Sequence, residues 1–139
     1  MNDGEQLAQA AAELIGVRFR LYGRDPKTGL DCVGLVAGCL AAIGRKPTIP
    51  CTYRLRNTAV DQWLDFAERS GLRPVTNGLQ PGDVLLTTPG PAQNHLLIVG
   101  NNKTVIHAHA GLRRVVRQSL DSIGKPLVRW RLGSLAKDN

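Results

Sequence analysis

Aromatic residues are scarce, with two Trp, two Tyr and two Phe in 139 residues. Such a chain has no row of ring platforms on which a single-strand binder stacks bases. No apolar run approaches the roughly 18 residues that a spanning helix requires, so no membrane insertion is expected. Cysteine is limited to Cys32, Cys39 and Cys51. An odd set without a CxxC pair fits neither a disulfide framework nor a zinc-finger spacing. Acidic residues are outnumbered, 11 against 18 Lys and Arg, for a net charge of +7. That excess favours polyanions. The arginines of LRRVVRQ (112–118) and VRWRL (128–132) nevertheless alternate as on a solvated sheet face, and no nucleic-acid partner is expected. The amino terminus carries acids where a secretory signal has bases, which predicts cytoplasmic synthesis without a signal peptide. Neither a linker nor an internal repeat is visible, so residues 1–139 read as one domain.

What is present divides into helices first and strands afterwards. Asn2 or Asp3 can cap a helix with Leu7, Ala10, Ala11 and Leu14 on one face and Gly16 as its stop. Residues 16–30 hold three glycines and a proline in a loop long enough to form a functional wall. From Cys32 to Ile43 the pattern is apolar nearly all round, as in a helix buried on most sides, and Gly44 ends it. A third helix opens at Thr58, places Val60, Trp63, Leu64 and Ala67 inward, and stops at Gly71. Segments 83–88, 94–99, 103–109, 113–119 and 127–132 then read as five strands of an antiparallel meander. The order predicts an α+β domain with helices packed on that sheet.

Asp31 sits one residue ahead of the buried helix, where its carboxylate can cap early N–H groups, and Cys32 falls in the first turn. Unpaired N–H groups and the macrodipole favour a thiolate there, although an isolated cysteine in an apolar helix is more often packing than chemistry. Cys39, two turns along, has no terminus to polarise it and reads as an inert core thiol. A nucleophilic cysteine also needs a base. The chain has three histidines, His95, His107 and His109, all on one predicted hairpin. His107 and His109 share a face. A two-residue turn at Asn101 and Asn102 would put His95 opposite Ala108 on the other face. A three-residue loop, Gly100 to Asn102, pairs Val99 with Lys103 and sets His95 opposite His107. Cys32 as nucleophile, His95 as base and His107 as its orienting partner then form a triad. The same three side chains would also make a three-ligand zinc set.

The motifs DCVGLV (31–36), LQPGDVLL (79–86), HLLIVGNN (95–102) and VIHA (105–108), in this order and spacing, resemble the NlpC-type cell-wall cysteine peptidases. These are papain-like enzymes that cut peptidoglycan stem peptides. The resemblance runs from Gly16 to Leu132. It implies Cys32 as nucleophile, His95 as general base, His107 as the residue orienting it, and no cofactor or metal. His109 receives no role from it. Asp31 is implied in binding a stem-peptide amine, although Val33 stands where the family often has serine. The family's upstream tyrosine aligns with Phe19, and Tyr22 supplies the hydroxyl if the loop is shifted. The stretch FRLYGRDPKTGLDC is similar to members encoded with phage or prophage tails, which implies tail-assembly partners and delivery to the cell wall in a particle. Two other readings are a catalytically silent structural tail protein and a thiol amidase or acyltransferase on the same scaffold.

Overall fold

Asn2 starts the first helix by a reciprocal cap. Its side chain accepts from the Glu5 N–H at 2.7 Å, and Glu5 accepts from the Asn2 N–H at 3.0 Å. An N-cap side chain contributes about 1 kcal/mol relative to alanine. The structure, a computed structural model, describes residues 1–49, 61–88 and 94–133. In it α1 spans Asp3–Ala12 and buries Leu7, Ala8 and Ala11. Glycine follows only after a further turn, at Gly16 with φ +94°.

A short hairpin, β1 (Arg24–Asp25) and β2 (Gly29–Leu30), leads into α2 (Cys32–Ala42). Helix α2 is buried from Cys32 through Ala37 and again at Cys39 and Leu40, packed against α1 on one side and the sheet on the other. Each fully buried Leu or Val contributes on the order of 1.5–3 kcal/mol, which makes α2 the axis of the core. Helix α3 (Asp61–Arg69) buries Trp63, Phe66 and Ala67. Leu64, expected inward, is 39% exposed. The inward stripe runs through Phe66 because positions 63, 66 and 67 recur at three and four and bring two large rings to one face. The expected start of this helix at Thr58, its Val60, and Cys51 lie outside the described residues.

Six strands form the main sheet: β3 (Leu72–Pro74), β4 (Val84–Thr87), β5 (His95–Val99), β6 (Thr104–His109), β7 (Arg114–Ser119) and β8 (Val128–Leu132). Their order is β3-β8-β4-β5-β6-β7 and every pairing is antiparallel. The expected five-strand meander therefore gains an edge strand, and its last strand returns to lie between β3 and β4. Three residues ending in proline carry no readable alternation, and proline is tolerated at an edge.

Both sheet faces are covered. Val84, Leu86, Leu96, Ile98, Ile106, Ala108, Val115 and Trp130 join the core under the helices. Leu85, Leu97, Val99 and Val105 form a smaller cluster on the other face, against Leu79, Leu120 and Ile123. The turn before β4 is tied to β8 by Asp83, whose carboxylate takes two N–H groups of Arg131 at 2.8 and 2.9 Å and the Gln80 N–H at 2.9 Å. No helix among the described residues is long and apolar enough to cross a membrane.

Candidate active site

Asp31 fixes the start of α2. One carboxylate oxygen accepts the Gly34 N–H at 2.8 Å and the other accepts the Tyr22 N–H at 2.7 Å, with Arg24 at 3.6 Å. The side chain is fully buried. It thus joins the helix terminus to the preceding loop. Gly34 completes the junction, because a Cβ there would run into the Gly23 carbonyl oxygen. The loop can lie on the first turn only while that position has no side chain. Tyr22 enters through its backbone, at φ 62°, with a half-exposed side chain. Phe19, not Tyr22, reaches the cavity described below.

Cys32 is buried, 1% exposed, in the first turn so formed. Its sulfur accepts from the Leu96 N–H and is further favoured as an anion by the N–H groups of Val33 and Cys32 itself. These donors do not win. Burial, assisted by the charge of Asp31, pushes the thiol up to about 12. The expected lowering by the helix terminus is present in the N–H groups, but it is smaller than the cost of desolvating a thiolate. Cys39 is also buried and pushed up to about 12, by burial first and Glu13 second. It belongs to the hydrophobic core.

The Leu96 N–H brings the sulfur beside the first peptide of β5, the strand that begins with His95. Among the described residues no hydrogen bond joins the sulfur to the imidazole. His95 Nε2 lies 2.7 Å from His107 Nδ1, and His107 Nε2 lies 2.7 Å from Gln118 Oε1. The two rings meet edge to face at 4.8 Å between centroids. Burial first, then the neighbouring His107 and His109, lowers His95 to about 3. His107 is also lowered, by burial and by His109, against the opposing bond from Gln118. Thiol and imidazole are both neutral at pH 7, so a proton would leave the sulfur during attack and not before it.

The histidines share a face by a different register from the expected one. Val99 pairs with Val105 and Ile98 with Ile106, two residues from the expected Val99–Lys103 pairing. Gly100 joins the ladder through its bond to the Thr104 carbonyl at 2.8 Å, and the turn moves to Asn101–Lys103. Asn102 and Lys103 take the left-handed conformation, both at φ 58°. A shift of two preserves the face of every side chain. His95 therefore meets His107 diagonally, a separation that long and aromatic side chains span.

A cavity of about 630 Å3 opens on this face, lined by Phe19, Asn94, His95, His107, His109 and Gln118 among others. His109 accepts the Leu112 N–H at Nδ1, at 3.0 Å, and its ring stands 5.5 Å from that of His107. Among the described residues no group of three or more His, Cys, Asp or Glu is placed to hold a metal ion. The His95–His107 distance is that of a direct hydrogen bond, with no room for an ion between the nitrogens. Gln118 was not a candidate from sequence. On an arginine-rich alternating strand it looks like part of a solvated face, and only the β6–β7 register, Val105 opposite Gln118 and Val116 opposite His107, brings it diagonal to His107.

No protein-family model matches the chain, and no curated protein matches it by sequence. Solved structures do. The chain is similar to the NlpC/p60 domain of the peptidoglycan hydrolase SagA at TM-score 0.65 and 24% identity, over 95% of this chain and 100% of that one. It is similar to NlpC2 from Trichomonas vaginalis at TM-score 0.71 and 19% identity, over 94% of this chain and 48% of that one, about half its length. An N-acetylmuramoyl-L-alanine amidase from Bacteroides uniformis matches at TM-score 0.60 and 12% identity, over 95% of this chain and 99% of that one. The α+β arrangement of this chain is thus the papain-like fold of the NlpC/p60 domains.

Proposed function

We propose that the protein is a cysteine peptidase that hydrolyses amide bonds in peptidoglycan stem peptides. The observation that carries this reading is a thiol in the first turn of a buried helix, beside the Leu96 N–H at the start of β5, next in sequence to a histidine whose Nε2 lies 2.7 Å from a second histidine. In the proposed cycle, Cys32 Sγ attacks the amide carbonyl while His95 takes its proton. His95 then gives that proton to the leaving amine, and water hydrolyses the thioester. The backbone N–H of Cys32, at the start of α2, is a donor for the oxyanion. Similarity to peptidoglycan hydrolases and to an amidase supports the substrate class.

Purified sacculi offered to wild type and Cys32→Ala test it. Wild type is expected to clear them and Cys32→Ala to leave them intact. Equal clearing by both would remove Cys32 from the chemistry, and clearing by neither would favour a silent structural protein. Mass spectrometry of the released muropeptides separates a cut within the stem peptide from the amidase cut beside the sugar. That second reading is favoured by the amidase among the similar structures. Activity is expected to survive EDTA. Delivery with a phage or prophage tail is the finer part of this proposal and rests on the sequence of residues 19–32. Finding the chain in purified particles would support it.

A further inference from the structure

With the Gln118 amide turned so that its oxygen faces His107, three neutral side chains in a row take one consistent placement of their protons. Gln118 Oε1 has lone pairs and no hydrogen, so its 2.7 Å contact with His107 Nε2 requires the hydrogen on that nitrogen. A neutral imidazole carries one N–H, which leaves His107 Nδ1 bare. The 2.7 Å contact between His107 Nδ1 and His95 Nε2 then requires the hydrogen on His95 Nε2. His95 Nδ1 is left as a lone pair. Burial keeps both rings neutral, so this assignment holds at working pH.

We propose that Gln118 is a positioning residue that sets the tautomer of His95 through His107, and so makes His95 Nδ1 the proton acceptor. The proposal rests on the reading of His95 as the base. A donor in place of the Gln118 oxygen would reverse both rings and put a hydrogen on His95 Nδ1, where it could not accept one. The geometry is built for this transfer of orientation. His95, His107 and Gln118 stand on three consecutive strands, β5, β6 and β7, each diagonal to the next. All three line the same cavity. His109 does not enter the row, because its Nδ1 is engaged by the Leu112 N–H.

Nitrogen-15 NMR of the histidine rings, with Gln118→Leu and Gln118→Glu beside the wild type, tests the proposal. In wild type His95 is expected to be protonated at Nε2 and bare at Nδ1. Gln118→Leu removes the acceptor and is expected to give mixed tautomers at both rings. On sacculi it should lower kcat by about tenfold or more with KM within about twofold, as for other partners that hold an imidazole in one tautomer. Gln118→Glu restores an acceptor and should recover both the tautomer and most of the rate. A hydrogen on His95 Nδ1 in wild type, or wild-type tautomers in Gln118→Leu, would overturn the proposal. So would a Gln118→Glu protein as slow as Gln118→Leu. The NMR reads the row even in a protein that cleaves nothing, so failure of the relay and failure of the peptidase reading are separable.

Discussion

Burial places the folded His95 imidazole at about 3, against an ordinary 6.5. Below about 6.5 the unfolded chain takes up a proton that the folded chain refuses until pH approaches 3. Stability from the neutral ring is therefore complete above the unfolded value and is lost as pH falls through that window. His107 is shifted in the same direction and adds to the loss. Thermal unfolding at pH 7 and pH 5 should give a lower Tm at the acid value, and His95→Gln should flatten that slope. Parallel slopes for the two proteins would contradict the assignment. At this scale the sequence is informative about chemistry and silent about environment. Asp31 before an apolar helix predicts both the cap and the position of Cys32, which are local matters. The thiol's protonation depends on how completely the surrounding elements exclude water, and no residue type near Cys32 encodes that.

Among the elements, α2 and the β1–β2 hairpin form one unit through Asp31 and Gly34. Ala at position 34 would force the first turn and the Gly23 carbonyl apart. Gly34→Ala should lower stability by about 1–3 kcal/mol, as overpacking does. It should also lower activity, since Cys32 shares that turn. Around Gly38, in the same helix, no atom of the described residues beyond its own helical turn lies within 4 Å of where a Cβ would stand. Gly38→Ala should be neutral or gain up to about 1 kcal/mol from helix propensity. Urea unfolding midpoints for the two variants check the contrast, and equal effects would mean that the hairpin does not set the constraint. The helix was legible because its apolar positions are continuous. The register of the histidine hairpin was not, because Gly100, Asn101, Asn102 and Lys103 admit more than one three-residue turn, and moving the turn by one residue shifts the pairing by two and leaves the same side chains on each face.

For the whole molecule, the pairing of Asp83 with Arg131 joins the turn before β4 to the strand that arrives last. The Asp83 side chain is 1% exposed and that of Arg131 22%. Removing Asp83 leaves the partly exposed Arg131 with the Gly78 carbonyl and frees the Gln80 N–H, so Asp83→Ala should cost about 1–3 kcal/mol in chemical unfolding. A loss under about 1 kcal/mol, the range of an exposed pair, would mean that water already screens it. The sheet order itself was the least legible feature. Alternation identifies a strand but says nothing of its neighbour, and a strand that returns to the middle of a sheet is specified only by contacts distant in sequence.

That late return governs the molecule's birth. While the ribosome is still threading residues before Val128, the gap between β3 and β4 stays open and Leu72 lacks the Leu132 it will face. A nascent chain holds every partner needed to pair β4 through β7, but β3 has no neighbour in the sheet until β8 has been made.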